Sequence, residues 1–179
     1  MIRNRLFNKL TLGLASLALI PVGVAYALIT AQATLSGNTI SASPGLLISK
    51  AGSAYGTQLS GFTFNIIVGD TATPSEIFTI KNTTSKPLAI GLGLAEAISF
   101  SGGTVNNDKL NAILNCSDSS ITANGTATAL VNSSVISSTK LAAGATTNCT
   151  VSFGMDVDAI TSGAEVTSNP FALKLTAQE

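Results

Sequence analysis

The segment SEIFTIKNTTSKPLAIGLGLA, residues 75–95, carries the pattern on which the fold prediction depends. In its first half, apolar Phe78 and Ile80 alternate with a second face that includes Lys81. A period of two is typical of a strand that buries one face. After the Thr-Thr-Ser turn, KPLAIGLGLA predicts a second strand, which forms with the first either a hairpin or a crossing between two sheets.

Similar short runs recur along the chain, separated by Gly, Pro, Asn and Asp turns. They are GFTFNIIV (61–68), ATALVN (127–132), TNCTVSFGMD (147–156) and FALKLTAQ (171–178). Many short alternating strands with regular turns are typical of a β-sandwich or barrel. VNNDKLNAILNC (105–116) differs, because Leu110, Ile113 and Leu114 have helical spacing. We therefore predict an all-β antiparallel sandwich with a short helix or helical turn over one end.

Residues 1–27 have the features of a secretory signal peptide. The uncharged run LTLGLASLALIPVGVAYA follows three basic residues, Arg3, Arg5 and Lys9. Ala25 and Ala27 form a small-x-small triplet, which predicts cleavage after Ala27, and a second triplet leaves cleavage after Ala33 open. A retained membrane anchor is the alternative, because the run is long enough to span a bilayer. The chain is expected to be exported.

The remaining composition bounds the possible partners. From residue 28 onward six lysines face nine acidic residues, a net charge of −3. Such a surface offers nucleic acid no basic patch and anionic lipid no lysine cluster, so membrane contact is expected only through the uncleaved signal peptide. The apolar content is too high, and the net charge too low, for a disordered chain. About 150 residues suffice for one domain with a core.

Cys116 and Cys149 are the only cysteines, in the polar contexts NCS and NCT. An exported chain meets oxidising conditions, which favour a disulfide. It would close a loop of about 34 residues, which the chain-entropy model values at roughly 4 kcal/mol. A metal site is the rival interpretation, but two cysteines without a histidine cannot complete a zinc shell.

Catalytic chemistry has few candidates here. The absence of histidine excludes Ser-His-Asp and Cys-His triads and histidine-ligated zinc. Asp156 and Asp158, in GMDVDA, are predicted to share one face of a strand. There they are interpreted as the paired carboxylates of a hydrolase, as oxygen ligands of Ca²⁺, or as a solvated strand end or loop without chemistry. The glycines of AIGLGLA indicate a strand bend or a close backbone approach rather than a phosphate loop. We predict no enzyme activity, no cofactor and no metal.

Five N-x-S/T sequons are present, at Asn82, Asn115, Asn124, Asn132 and Asn148.

The segment after the predicted cleavage site alternates without charge. The segment LITAQATLSGN begins at Leu28, and its apolar face consists of the alternate residues Ile29, Ala31, Ala33 and Leu35. A strand-shaped terminus of this kind requires a sheet edge, either its own or that of the next subunit. Addition to the next subunit would build an open filament, because such a head-to-tail contact does not close.

These patterns resemble the TasA/camelysin family of exported biofilm-matrix and surface proteins with SipW-type signal peptides. The resemblance rests on VGVAYA running into LITAQATLSGNTISASPGLLIS, on EIFTIKNTTSKPLAIGLGL, on KLAAGATTNCTVSFGMD and on the end FALKLTAQE. In the first of these, residues 37–39 are taken as a turn before a strand at 46–49. The family's usual aromatic-Asp pair after the cut is replaced by Leu28-Ile29-Thr30, and a cysteine pair is added. The metallopeptidase activity assigned to camelysin-like members does not transfer without histidine.

The resemblance implies a jelly-roll domain over 45–179, preceded by a candidate donor strand and hinge over 28–44, with the donor itself at Leu28–Ser36. The expected protein is secreted to the cell surface or extracellular matrix. There it forms a head-to-tail homopolymer by donor-strand addition, with other matrix or surface components as possible further partners. The alternative is a monomeric surface binding module or adhesin, in which the N-terminal strand folds onto its own sheet.

Overall fold

The computed structural model describes residues 32–51, 53–69, 73–74, 77–117, 120–162 and 165–179. The predicted signal peptide, with Ala25 and Ala27, lies outside these residues. So do Leu28, Ile29 and Ala31 of the candidate donor strand.

Strands make up most of the described chain. They are β1 (Gln32–Ala42), β2 (Leu46–Lys50), β3 (Gln58–Ile67), β4 (Thr73–Pro74), β5 (Phe78–Asn82), β6 (Leu88–Leu94), β7 (Phe100–Ser101), β8 (Thr104–Val105), β9 (Leu110–Cys116), β10 (Ile121–Thr126), β11 (Val135–Leu141), β12 (Thr146–Met155), β13 (Ile160–Ser162), β14 (Glu165–Ser168) and β15 (Ala172–Gln178). A 3₁₀ turn covers Asn107–Lys109, and one α-helix, α1, covers Ala127–Asn132.

The strands form two main sheets. The first has the order β11-β6-β15-β1-β14-β7, and β3 pairs with β1 on the other side. The second has the order β10-β9-β12-β5-β2, with β4 also beside β12, while β8 and β13 form a separate two-stranded ribbon. The all-β sandwich with a short helix that the sequence predicts is therefore confirmed.

The core lies between the inward faces of the two sheets, and aromatic rings connect them. Phe64 of β3 meets Phe153 of β12 edge to face, with ring centroids 4.8 Å apart. Phe153 meets Phe171 in the same manner at 5.6 Å. Edge-to-face aromatic pairs stabilise packing beyond the area that they bury. The two sheets are therefore fixed against each other by specific ring contacts as well as by aliphatic burial.

Strands β5 and β6 follow the predicted alternation but not as a hairpin. Phe78 and Ile80 are completely buried, whereas Ile77 is 62% exposed. Strand β5 pairs with β2 and β12 in the second sheet, whereas β6 pairs with β11 and β15 in the first. The connection between them therefore crosses from one sheet to the other, which decides between the two predicted alternatives.

The glycines of β6 are sites of close approach. A Cβ on Gly93 would lie 2.6 Å from Ser134 Oγ, and one on Gly91 would collide with Thr176 and Ile136. Real Cβ atoms do not approach neighbours so closely, so a larger residue at either position would require these side chains to shift. The backbone also approaches closely, since Val135 O would lie 3.3 Å from a Cβ on Gly91 and Leu130 O 3.4 Å from one on Gly93, as the glycines of AIGLGLA predicted.

Of the short helix or turn predicted for residues 105–116, only a 3₁₀ turn at Asn107–Lys109 is present. Apart from the 3₁₀ turn capped by the Asn106 side chain, this segment is strand β9, paired with β10 and β12. Leu110 and Leu114 are fully buried, but so is Ala112 between them, while Ile113 points outward. A spacing of four fits both a helix and a strand, so the neighbouring strands determine the conformation.

The segment ATALVN, predicted to be a strand, is helix α1. The Thr126 hydroxyl accepts a hydrogen bond from the Ala129 amide at 3.2 Å, the contact expected of an N-cap. Ala127 and Leu130, three residues apart, are the buried members of the helix. Two alanines in six residues raise helix propensity, which the apolar-polar alternation of this segment concealed.

Candidate functional site: the N-terminal strand and its slot

Strand β1 lies inside the first sheet of its own chain. Residues 32–35 pair in parallel with 165–168 of β14, and residues 39–42 pair in parallel with 172–175 of β15. On its other side β1 pairs antiparallel with β3 along both halves. Both halves of β1 are therefore hydrogen-bonded on two sides, as in a central strand.

The two halves of β1 are separated by an irregular joint at residues 36–38. The register against β3 shifts between Leu35 and Asn38, and again between Asn38 and Ile40. Gly37 at this joint has a φ of +69°, which glycine adopts without strain. Register shifts of this kind are typical of β-bulges. The turn predicted at residues 37–39 is therefore wrong as a turn, because β1 continues through this bulge to Ala42.

The joint contains buried polar atoms that lack partners. Asn38 is fully buried; its Oδ1 accepts a hydrogen bond from the Phe171 amide at 3.1 Å, but its Nδ2 has no partner. Ser168, opposite Leu35 in the parallel register, is 4% exposed, and its Oγ is also unpartnered. Unsatisfied buried polar groups destabilise the structure around them. The joint is therefore a weak point within a central strand. The sequence indicated an irregularity here, as a turn at residues 37–39, but it contained no signal for the unpartnered polar atoms.

The first half of β1 fills a slot between β3 and β14. Leu35 is fully buried, and the walls of the slot include Phe64, Ile66 and Val166, each at most 3% exposed. Ala33 lies within the paired segment, opposite Ile66 on one side and Val166 on the other. Of the five residues predicted for the donor face, the structure therefore describes Ala33 and Leu35 in this slot.

The predicted disulfide is present. Cys116 of β9 stands directly opposite Cys149 of β12 in the antiparallel register. The two sulfurs are bonded, and the Cα atoms are 4.0 Å apart. Both residues are 1% exposed, so the bond lies in the core rather than on the surface. A disulfide of this kind is typical of proteins that fold in oxidising compartments.

Asp156 and Asp158 do not share a strand face, which corrects that prediction. Both follow the end of β12 at Met155, where the chain leaves the sheet in a turn. Asp158 Oδ2 accepts a hydrogen bond from Lys109 Nζ at 2.9 Å. This bond, with the attraction between the charges, lowers the pKa of Asp158 and raises the pKa of Lys109. Among the described residues there is no group of three or more metal-ligating side chains.

The asparagines of the five sequons differ in their exposure to solvent. Asn82 is completely buried, so its side chain is inaccessible for glycosylation in the folded chain. The other four asparagines are exposed: Asn115, Asn124, Asn132 and Asn148. The N-x-S/T pattern alone does not distinguish the buried asparagine from the four exposed ones.

These observations define an all-β sandwich with an internal disulfide and an N-terminal strand inserted between β3 and β14–β15. Within the described part of the chain, no helix has the length and apolar character needed to cross a membrane. A comparison with protein-family models finds no match. Curated proteins likewise include no match.

Proposed function

We propose that this protein is a secreted structural subunit that assembles into extracellular fibres by exchanging the first half of β1 between neighbouring subunits. The observation that carries the proposal is the division of β1 into two separately registered halves. The half before the joint occupies a slot that an equivalent segment of another copy would fit equally well. The resemblance to the TasA/camelysin family supports the same mechanism.

The joint supports the proposal as a hinge. Gly37 tolerates backbone conformations that other residues avoid, and the unpartnered Nδ2 of Asn38 weakens this part of the strand. Regions of low local stability open most readily. Residues 32–36 could therefore leave the slot while 39–42 remain paired with β15.

A rough energy estimate indicates what fibre formation requires. Burial of Leu35 contributes about 1.5–3 kcal/mol, and each ladder hydrogen bond contributes ~1 kcal/mol net. Association costs an estimated 4–15 kcal/mol. Because the segment is paired on both sides in the slot, its ladder hydrogen bonds bring the favourable free energy of insertion into this range. Contacts between neighbouring domains would supply the rest of the free energy that association costs.

A monomeric surface binding module is the second candidate. It is favoured by the in-chain pairing of both halves of β1. In that case the slot is permanently filled by the chain's own strand, and the protein would act through another surface.

An engineered disulfide distinguishes the two candidates. Thr34 of β1 stands opposite Asn65 of β3 in the antiparallel register. Residues directly opposite one another have Cβ atoms about 4.5–5.5 Å apart, near the range that a disulfide spans. We would oxidise the variant Thr34→Cys/Asn65→Cys after concentration under assembly conditions, then separate it by non-reducing gel electrophoresis.

Exchange predicts a ladder of covalent oligomers, because each bond would join two subunits. In-chain pairing predicts a disulfide-bonded monomer and would contradict the fibre proposal. The single variants Thr34→Cys and Asn65→Cys are the controls, since each can form at most a dimer. The native disulfide adds no background, because both native cysteines are already bonded in the core.

A further inference from the structure

The outward face of the second sheet is uncharged over three adjacent strands. Inward residues of β9, β10 and β12 are buried, and the alternate residues point away from the core. Apart from Ile113, these outward residues are all Asn, Thr, Ser or Gly. We call this surface the polar face; it includes Asn111, Asn115, Thr122, Asn124, Thr150 and Ser152.

A cleft of about 860 Å³ is formed at one end of the polar face. Its lining includes Asn111 and Gly154, which are paired in register on β9 and β12, and Asn124 of β10. The turn that contains Asp156 and Val157 also lines the cleft. Clefts of this size that combine apolar contacts with a few convergent polar groups are the usual form of ligand sites.

The polar groups in the cleft are available to a ligand. The carboxamides of Asn111 and Asn124 make no hydrogen bond to other described residues. Asp158 is already engaged by Lys109, whereas the Asp156 carboxylate has no cation bonded to it among the described residues. The site therefore offers amide donors and acceptors together with one carboxylate acceptor.

The charges of the cleft exclude an anionic ligand. Lys109 is held by Asp158 at 2.9 Å, and the described residues that line the cleft include no cation. Phosphates and acidic polymers are bound by arginine or lysine, so they would meet a net negative site here.

The composition of the polar face also disfavours a protein partner. Protein interfaces depend on buried anchors such as Trp, Tyr and Arg. In the part of the cleft lining that the structure describes, none of these residue types occurs, and the outward residues of the three strands contain none. Hydroxyls and amides, in contrast, match a ligand that itself carries many hydroxyls.

We infer that this cleft and the polar face bind an uncharged polysaccharide. The amides of Asn111 and Asn124 and the carboxylate of Asp156 exchange hydrogen bonds with sugar hydroxyls, and Ile113 and Val157 contact the apolar edges of the rings. Val157 is 80% exposed and so is free to make this contact. The rows of Thr, Ser and Asn beyond the cleft extend the site along the sheet, which suits a chain rather than a single sugar.

The test measures binding of the monomeric protein, so that its result is independent of fibre assembly. Monomer isolated by size exclusion is incubated with insoluble cellulose, chitin or β-1,3-glucan, and the bound fraction is determined by co-sedimentation over a range of protein concentrations. Alginate beads serve as the anionic probe. We expect binding to at least one neutral polymer and none to alginate.

Two matched double variants locate the site. Asn111→Ala/Asn124→Ala should weaken binding about tenfold, because two amide hydrogen-bond partners are lost. Thr63→Ala/Asn65→Ala, which removes two exposed polar side chains from β3 in the other sheet, should leave binding unchanged. Circular dichroism establishes that both variants are folded. Equal binding by all three proteins, binding to alginate alone, or no binding to any neutral polymer would overturn the inference.

Discussion

At the residue scale, the carboxamide of Asn82 joins two turns at the end of β5. Its Nδ2 donates to the carbonyl oxygens of Lys86 at 2.8 Å, Leu141 at 3.1 Å and Ala142 at 3.0 Å. Its Oδ1 accepts from the Thr84 amide at 2.8 Å and from the Thr84 hydroxyl at 2.9 Å. One fully buried side chain thus connects the turn after β5 with the turn between β11 and β12, and so links the two sheets.

Replacing this carboxamide should be costly. We expect Asn82→Ala to lower the free energy of unfolding by about 2–4 kcal/mol, because buried carbonyl oxygens lose their donor. Urea unfolding followed by circular dichroism measures the change. Asn115→Ala, at an exposed asparagine on β9, is the matched control and should change stability by less than about 0.5 kcal/mol. Equal effects of the two substitutions would show that the network contributes nothing.

The Lys109–Asp158 pair gives a pH-dependent contribution at the same scale. The pKa of Asp158 is lowered from its ordinary value of 3.8, so its contribution is present above that value and lost as the pH falls through the lowered pKa. The pKa of Lys109 is raised from 10.5, so its contribution is present below that value and lost as the pH rises through the raised pKa.

We therefore expect a small coupling energy between Asp158→Asn and Lys109→Met in a double-mutant cycle at neutral pH. Both side chains are partly exposed, so the coupling should decrease with added salt. It should vanish in acid, once Asp158 is protonated. A coupling energy that stays constant from pH 7 down to the acid limit of folding would contradict this assignment.

At the element scale, the Cys116–Cys149 disulfide fixes β9 against β12. The cysteines are 33 residues apart in sequence, and the chain between them includes β10, α1 and β11. These elements close one side of the sandwich. A crosslink at this point restricts the unfolded chain, which stabilises the folded state relative to it.

Removal of the crosslink should cost stability without changing the fold. We expect Cys116→Ala/Cys149→Ala to lower the free energy of unfolding by roughly 3–4 kcal/mol and Tm by about 6–16 °C. Thermal unfolding of both proteins, with and without reductant, measures the effect. Reductant should change only the wild-type protein, and a double variant as stable as the wild type would refute the expectation.

At the scale of the whole molecule, the N-terminal half of β1 completes the first sheet. Its removal would leave β3 and β14 without their shared neighbour and would expose the cavity occupied by Leu35. Truncation at the joint should therefore produce a domain with an open slot. Removal of all of β1 would also extract Ile40 from the core, which is why the cut belongs at the joint.

A protein that begins at Asn38 should bind the peptide LITAQATLS, residues 28–36, in trans. We expect binding to raise its Tm, because a ligand of the folded state stabilises it by mass action. The matched control peptide carries Leu35→Ala and should bind about tenfold more weakly, since it loses most of the roughly 1.5–3 kcal/mol that burial of Leu35 contributes. Equal stabilisation by both peptides, or by neither, would exclude the slot as an acceptor.

Local patterns predicted the all-β sandwich, the alternation of β5, the close approach at the β6 glycines and the disulfide. The first three follow from residue types within a few positions of one another, whereas the disulfide follows from the presence of two cysteines in a chain expected to be exported. Two of the errors in local conformation, at β9 and α1, fall on short segments whose apolar residues fit both periods. There the neighbouring strands, rather than local preference, determined the conformation.

The candidate site was predicted only in part. The sequence marked Ala33 and Leu35 as one apolar face of a strand, but it contained nothing about the parallel partners of β1, the bulge at Gly37 or the unpartnered Asn38. The parallel partners and the Asn38 contact depend on residues more than 100 positions away, in β14, β15 and the segment between them, and the bulge is a register shift against β3.

By itself, the sequence determined which side chains turn inward, because the period of the apolar residues is a local property of the chain. Only the tertiary structure decided which strands are neighbours, where β1 is interrupted and which polar groups converge on the cleft. The physical reason is that hydrogen-bond pairing between distant strands is set by the packing of the whole sandwich, and many pairings are compatible with the same alternation.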